Sequence, residues 1–224
     1  MANKKKGRLS TLLDFDAAKL TELDGDQNRV LIGVDEVGRG CLAGPVVAAA
    51  VILPDIQLPS SLAEDLNKLN DSKKLSAAIR EQLSSTLRAN CRFAIGEASV
   101  KEIDKINILQ ATFLAMRRAL KALAPAEACL VIVDGNKPIP RCNLRQITVI
   151  NGDGQSASIA AASVIAKVYR DQLMQNLAHS HPEYRWQSNK GYGSLEHRNA
   201  IIEFGLTRWH RQKFCQNLTG ELLP

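Results

Sequence analysis

The chain has 224 residues, of which 45% are hydrophobic and only 4% aromatic, so we expect one moderately sized domain with an aliphatic, alanine-rich core. A formal net charge of +6 favours an anionic partner such as nucleic acid, although charge bears on association and not on fold. Five scattered cysteines without a C-x-x-C pair argue against a zinc site, and no secretory signal is recognisable that would favour disulfides. No apolar run reaches the length of a membrane-spanning helix, so the sequence predicts a soluble, cytoplasmic protein without a membrane partner.

The first 27 residues predict a basic extension that docks only weakly on the rest of the protein. Three consecutive lysines precede an apolar stripe between Leu12 and Leu23 that is typical of a short helix. The lysines are better explained as a solvated tail than as an arm that binds nucleic acid. Residues 28–224 are expected to form the main domain, which includes a helical C-terminal part.

The stretch after this extension predicts two buried strands joined by an unusual polar turn. The strands are the apolar runs Val30–Val34 and Val46–Leu53, which are rich in β-branched residues. The first run ends in Asp35 and Glu36, followed by Gly-Arg-Gly at positions 38–40. Two adjacent carboxylates at the end of a buried strand repel each other and lose hydration, a cost that a divalent cation would remove. Taken alone, however, the pair is better explained as part of a solvent-exposed turn.

The remaining sequence predicts three more strands with helices between them. Ser76 is a good N-cap for a helix that ends near Asn90, and a single helix is expected from Lys101 to Leu123. The further elements are strands at Arg92–Ser99, Cys129–Val133 and Arg145–Ile150, a helix from Ser156 or Ser158, a polar loop over His179–Asn189 and a last helix ending at Phe204. The first two strands lack a long crossover and should pair antiparallel, whereas the later strands alternate with helices and should run parallel. We therefore expect an α/β fold with a five-stranded mixed sheet flanked by helices.

Acidic residues also follow the fourth and fifth predicted strands. Asp134 comes directly after Cys129–Val133, and Asp153 lies between the fifth strand and the next helix. Each alone is an ordinary turn or pre-helix residue, but the carboxyl ends of parallel strands meet at one edge of a sheet. Together with Asp35 and Glu36 they favour a hard-cation site, since oxygen ligands select Mg²⁺ or Mn²⁺ over Zn²⁺. Two such ions about 4 Å apart can hold a phosphodiester between an attacking water and a leaving oxygen.

Five motifs that occur in one order along the chain carry a resemblance to a known family. They are GVDEVGRGCLAGPVVAAAVIL, NDSKKL, VDGNK, SIAAASVIAKVYRD and KGYGSLEH. With them the chain resembles ribonuclease HII, of the type 2 ribonucleases H, from about Val30 to Phe214. The resemblance implies the ribonuclease H-like fold with a C-terminal helical extension, and cleavage of the RNA strand of RNA–DNA hybrids. It also implies nicking of duplex DNA at embedded ribonucleotides, which leaves 3′-hydroxyl and 5′-phosphate ends and uses two ions of Mn²⁺ or Mg²⁺.

The same resemblance implies roles for individual residues. The catalytic metal ligands would be Asp35, Glu36, Asp134 and Asp153. The ribonucleotide and its 2′-hydroxyl would be contacted by Gly38, Arg39 and Gly40, largely through backbone groups, since the 2′-hydroxyl is what separates RNA from DNA. Tyr192 would pack on the sugar at the RNA–DNA junction.

Basic and polar residues would complete the substrate surface. Lys73 and Lys74 would lie near phosphates, although a solvated helix start explains them equally well. Ser163, Lys167 and Arg170 share one helix face, from which one or two would reach the substrate backbone. Ser163 also suits a bond within its own helix.

Two positions depart from the family pattern. Tyr169 stands where the family usually has threonine, and Gly154 where alanine is commoner.

Other protein classes are less well supported by the sequence. No Gly-Lys-Ser/Thr or G-x-S-x-G motif supports an NTPase or a serine hydrolase, and His197 and His210 fit structural or peripheral roles better than zinc binding. A hybrid-binding module that has lost catalysis is the remaining alternative, which the presence of all four acids disfavours. We expect a monomer and leave open the identity of a replication-associated partner.

Overall fold

A computed structural model of the chain describes residues 7–24, 30–54, 60–69, 72, 75–125 and 129–219. Its strands are β1 (Val30–Val37), β2 (Val46–Ile52), β3 (Arg92–Ala98), β4 (Cys129–Asp134) and β5 (Arg145–Val149). They form one sheet in the order β3-β2-β1-β4-β5. The pairs β1–β2 and β2–β3 are antiparallel, whereas β1–β4 and β4–β5 are parallel. The expected five-stranded mixed sheet is therefore confirmed.

Helices cover both faces of this sheet, and further helices form a C-terminal extension of the domain. They are α1 (Arg8–Asp24), α2 (Ser60–Leu66), α3 (Ala77–Asn90), α4 (Val100–Ile106), α5 (Ile108–Leu123), α6 (Ala157–Ser180), α7 (Trp186–Asn189), α8 (Leu195–Phe204) and α9 (Gln212–Thr219). Alternate residues of β2 face α5 on one side and α6 on the other, which explains why this strand is wholly apolar. Gly33 lets α6 lie directly on β1, because a Cβ there would stand 2.1 Å from the backbone of Ser158. No helix within the described ranges is both long and apolar enough to span a membrane.

The single helix expected from Lys101 to Leu123 is wrong, because the chain breaks at Asn107. This residue has a φ of 66°, and its side chain accepts a hydrogen bond from the Gln110 amide as the N-cap of α5. Asparagine tolerates positive φ and competes for local backbone groups, so it can end one helix and begin the next. The preceding helix α4 has its own capping box, formed by Ser99 and Glu102.

The polar loop expected at His179–Asn189 is also wrong, because this segment is ordered and partly buried. Helix α6 continues to Ser180, and a 3-10 turn (Pro182–Tyr184) and α7 follow. Tyr184 and Trp186 are buried in a third apolar cluster together with residues of α6, α8 and α9. The two rings supply the burial that outweighs the polar character of the surrounding sequence.

The N-terminal helix α1 is docked more firmly than a weakly bound extension would be. Leu9 and Leu12 are buried beside α3 and α6, and Phe15 packs against the cluster of β1 and β4. Asp16 is buried and accepts hydrogen bonds from the backbone N–H and hydroxyl of Ser158, at 2.9 and 2.8 Å. Burial raises the pKa of the Asp16 carboxyl, while these donors oppose the shift. Helix α1 thus caps the first turn of α6.

Candidate active site

The edge of the sheet where β1 ends holds a cluster of interacting carboxylates. Asp35 is 5% exposed and accepts a hydrogen bond of 2.7 Å from the Glu36 amide. Burial, followed by the charges of Glu36 and Asp134, raises the pKa of Asp35 well above its usual range. Burial also raises the pKa of Glu36, against which Arg39 acts through a hydrogen bond of 3.1 Å. Negative charge therefore accumulates here at a cost in hydration.

The parallel neighbour β4 places Asp134 beside this pair. The register joins Val34 to Val133, so Asp35 and Asp134 follow at the same end of adjacent strands. Asp134 Oδ1 accepts a hydrogen bond of 2.7 Å from the Gly152 amide, which ties β4 to the 3-10 turn Gly152–Gly154. That turn carries the buried Asp153. The structure thus brings Asp35, Glu36 and Asp134 into electrostatic contact and fixes the backbone next to Asp153.

All of these side chains offer oxygen ligands, which suit a hard divalent cation. Among the residues described, no three acidic, histidine or cysteine side chains are already arranged as a metal-holding group. The fit therefore rests on donor chemistry and on the raised pKa of the buried Asp35 carboxyl, since a bound cation would compensate the crowded charge.

The loop of residues 38–45 that follows β1, here called the glycine loop, is held on its buried side by two arginines that are 0% exposed. Arg211 donates to the carbonyls of Gly38, Arg39 and Gly44 at 2.6–3.0 Å. Arg170 donates to those of Ala43, Pro45 and Lys190 at 2.8–3.0 Å. Gly38 has a φ of 93°, and a Cβ there would lie 2.2 Å from Arg170 Nε. Six carbonyls thus point inward, and the loop conformation requires glycine at its start.

This position corrects the expectation that Arg170 reaches the substrate backbone. Its side chain is 0% exposed, and each guanidinium nitrogen already donates to a backbone carbonyl. Ser163 is also buried: its hydroxyl bonds to Ser72 Oγ at 2.8 Å and to the Asp35 carboxyl. Its hydroxyl therefore bonds to Ser72 and Asp35 and not within its own helix, and Ser163 supports Asp35.

Tyr192 and Lys167 lie next to the glycine loop. Tyr192 forms an isolated β-bridge with Cys41 and keeps 40% of its surface exposed. Lys167 Nζ is 5.7 Å from the centre of the Tyr192 ring and pairs with Asp171 at 2.7 Å. Lys73 and Lys74 lie outside the described residues. The positions on either side of them are fixed, since Arg80 donates to the carbonyls of Ser72 and Leu75.

Neither Tyr169 nor Gly154, the two departures from the family pattern, removes a carboxylate of the cluster. The Tyr169 hydroxyl donates to Glu97 on β3 at 2.5 Å, which makes this contact a link between α6 and the far edge strand. A Cβ at Gly154 would meet no described atom within 4 Å, so alanine would fit there equally well.

Comparison with known proteins decides the family. A family model described as Ribonuclease HII matches residues 32–217. The chain is 55% identical over 188 residues to the ribonuclease HII of Paramagnetospirillum magneticum, which covers 83% of this chain and 90% of that protein. The chain belongs to the ribonuclease HII family.

Solved structures agree with this membership at the level of the fold. The ribonuclease HII of Archaeoglobus fulgidus, solved in complex with PCNA, has a TM-score of 0.68 and 26% identity, with 82% of this chain and 94% of that one covered. Bst-RNase HIII, solved in complex with Mn²⁺, has a TM-score of 0.64 and 17% identity, with coverage of 86% and 71%. The resemblance read from the five motifs and the ribonuclease H-like fold are both confirmed. The protein is therefore a hydrolytic endoribonuclease that acts on RNA in RNA–DNA hybrids.

Several supporting residues escaped the sequence analysis. Arg211 belongs to none of the motifs, because the local sequence around an arginine that binds buried carbonyls does not differ from that around a surface arginine. Ser72 and Asp16 act across 91 and 142 residues of sequence, a distance over which no local pattern is informative. His197 and His210 were expected to be structural, and their mutual contact has no signal in their spacing.

Proposed function

We propose that the protein nicks duplex DNA at embedded ribonucleotides and cuts the RNA strand of hybrids with two divalent ions, leaving 3′-hydroxyl and 5′-phosphate ends. One observation carries this proposal. The buried carboxylate cluster at the end of β1 runs directly into the glycine loop, five of whose carbonyls accept hydrogen bonds from Arg170 or Arg211. A single turn thus joins a place for hydrolysis to a backbone surface that can test a ribose.

The ions would be held by Asp35, Glu36, Asp134 and Asp153, with Mn²⁺ or Mg²⁺ as the metal. When bound, such ions activate an attacking water and stabilise the leaving oxygen. The Mn²⁺ complex of the HIII neighbour supports the choice of a divalent ion.

The chain itself would select and orient the substrate. The backbone of Gly38, Arg39 and Gly40 would contact the 2′-hydroxyl, and the exposed ring of Tyr192 would pack on the sugar. Lys167, whose Nζ lies 5.7 Å from the centre of that ring, would attract a phosphate, with Lys73 and Lys74 as further candidates. Arg170 and Ser163 would act indirectly, by holding the loop and Asp35.

A single assay tests this function. The protein is incubated with a DNA duplex that contains one ribonucleotide, with and without Mn²⁺ or Mg²⁺, and the product ends are identified. We expect a metal-dependent nick beside the ribonucleotide and none in an all-DNA duplex. Failure to nick with either metal would refute the proposal.

The same assay separates this function from a binding module that has lost catalysis. Such a module would shift the duplex on a native gel without cutting it at any metal concentration. Retention of all four acids and burial of Asp35 beside two other carboxylates favour the enzyme. The PCNA complex of the Archaeoglobus relative supports a replication-associated partner for this chain, which we propose to act as a monomer.

A further inference from the structure

Two buried histidines lie directly behind Tyr192. His197 on α8 and His210 before α9 are 0% and 1% exposed, and their Nε2 atoms are 3.2 Å apart. Trp186 and Tyr184 enclose them, with the Tyr184 and His210 ring centres 4.7 Å apart. Burial lowers the pKa of both imidazoles, that of His210 to about 3, so the pair is neutral at physiological pH.

The hydrogen bonds fix which ring nitrogens carry protons. His197 Nδ1 lies 2.8 Å from the Tyr192 carbonyl, which can only accept, so Nδ1 must be the donor. Its Nε2 accepts from Trp186 Nε1 at 3.0 Å. His210 Nδ1 accepts from the Thr207 amide at 2.9 Å, which leaves its Nε2 as a donor to His197. All four ring nitrogens are engaged, and neither ring offers a lone pair to a metal.

This chain of hydrogen bonds ends at the backbone carbonyl of Tyr192 itself. The same carbonyl also accepts from the Ser194 amide at 2.9 Å. On the other side, residues 41–44 of the glycine loop lie between Gly191–Tyr192 and Trp209–Arg211, with bonds from Leu42 to Gly191 and from Arg211 to Leu42, both of 2.8 Å. The histidines therefore join the two segments that flank the loop.

We propose that His197 and His210 are positioning residues that set Tyr192 against the ribose at the cut site. The proposal rests on the function proposed above, because it assigns the tyrosine to sugar recognition. His197 holds the Tyr192 carbonyl directly, and His210 orients His197 through its Nε2–H. Neither imidazole touches substrate.

Two substitutions at one position separate positioning from mere stability. In His197→Asn the amide nitrogen can take the place of Nδ1 and still donate to the Tyr192 carbonyl, but the acceptor for Trp186 and His210 is lost. In His197→Gln the amide oxygen can replace the Nε2 acceptor, but the donor to Tyr192 is lost. We expect His197→Asn to melt at the lower temperature and yet to raise the KM for the single-ribonucleotide duplex less than His197→Gln does, because the direct bond to the Tyr192 carbonyl is kept.

For the more stable His197→Gln we expect a KM up to about tenfold above wild type, a limit set by the free energy of the one hydrogen bond that no longer holds Tyr192, with a smaller change in kcat. A structural role alone would make activity follow stability, which is the opposite order. If KM rises in parallel with the loss of melting temperature in both variants, the proposal is overturned.

A double-mutant cycle shows whether the effect passes through Tyr192. In a Tyr192→Ala background the His197→Gln substitution should change KM by less than about twofold, because the ring that it displaces is gone. Independent, additive effects would contradict the proposal. A wild-type protein that fails to nick at all would instead refute the function itself, so the two failures are distinguishable.

The wild-type protein provides a measurement that does not depend on the variants folding. Histidine ¹⁵N NMR at neutral pH should show a proton on Nδ1 of His197 and on Nε2 of His210. Detection of the opposite tautomer of His197 would remove its bond to Tyr192 and overturn the proposal.

Discussion

At the scale of single residues, the site is organised by the cost of burying Asp35. Its carboxyl loses hydration and faces the charges of Glu36 and Asp134. Hydrogen bonds from Ser163 and the Glu36 amide compensate only part of the lost hydration. A buried charge of this kind persists where a ligand compensates it. The proposed cation would therefore relieve a cost that the fold imposes before any substrate arrives.

Replacing Asp134 with asparagine should separate catalysis from binding. Asparagine keeps an oxygen that can accept the 2.7 Å bond from the Gly152 amide, so the turn that carries Asp153 should remain in place. The variant loses the anionic charge of a proposed metal ligand, and we expect kcat to fall by about a thousandfold or more while duplex affinity stays within about twofold. Glu81→Gln, on the exposed side of α3, is the control for a lost charge. An equal loss of binding and activity would indicate misfolding or another role.

The raised pKa of Asp35 predicts that metal binding releases protons above the ordinary carboxyl range. In the metal-free protein, Asp35 favours folding below its unfolded-state pKa, and this contribution is lost as pH rises through its raised folded-state pKa. A cation needs the ionised form, so binding must expel the proton that the carboxyl retains. Calorimetry with Mn²⁺ in buffers of different ionisation enthalpy should show this release, and Asp35→Asn should release fewer protons, because only Glu36 of this pair then keeps a raised pKa. Buffer-independent heats in the wild type just above the ordinary carboxyl range would contradict a raised pKa.

At the scale of elements, the glycine loop is shaped by buried guanidinium groups and not by its own sequence. Burial lowers the pKa of Arg211 to about 10, so it remains charged at neutral pH and needs the carbonyls that it binds. A charged donor left without acceptors in the interior is strongly destabilising. The loop and the two arginines therefore stabilise each other.

Arg211→Lys should disturb the loop although it keeps the charge. An ammonium group lacks the planar fork that reaches Gly38, Arg39 and Gly44 together. We expect a loss of about 3 kcal/mol in unfolding free energy and a lower cleavage ratio of ribonucleotide-containing to longer hybrid substrates. Arg208→Lys, on the exposed neighbour, is the matched control. Wild-type stability in Arg211→Lys would show that the clamp is unimportant.

The docking of α1 can be tested with truncated side chains. Leu12 is 2% exposed in the cluster with α3 and α6, whereas the adjacent Thr11 is exposed. Leu12→Ala should lower the free energy of unfolding by about 2 to 4 kcal/mol, and Thr11→Ala by much less. Urea denaturation measures both. Equal, small effects would mean that α1 is the weakly docked extension expected from sequence.

The elements also show what the sequence could and could not predict. Apolar runs and the acids at their ends gave the strands and the carboxylate cluster, because both depend on local pattern. The break at Asn107 depended on one residue adopting positive φ, which a helical stripe does not reveal. Burial of Trp186 depended on partners from α8 and α9, and the clamp by Arg211 on carbonyls 167 or more residues away. Long-range polar contacts were thus the part that pattern analysis missed.

At the scale of the whole molecule, the protein combines a basic balance with a locally acidic site. Lysine and arginine number 29 against 23 acids, and Asp16, Asp35 and Asp153 among those acids are buried. A basic surface attracts the phosphate backbone over distances set by ionic strength. Substrate affinity would then come from the surface, and the choice of cut site from the loop and carboxylates.

Salt should therefore weaken duplex binding steeply. With Asp134→Asn protein, which leaves the duplex intact, four neutralised phosphates predict a fall in affinity of about a hundredfold between 50 and 200 mM salt. Lys167→Ala should reduce the slope of log affinity against log salt by about one if Lys167 faces a phosphate. Lys121→Ala, at an exposed position of α5 on the other face of the sheet, should leave that slope unchanged. A flat profile would contradict phosphate-dominated binding and shift the source of affinity to the glycine loop and Tyr192.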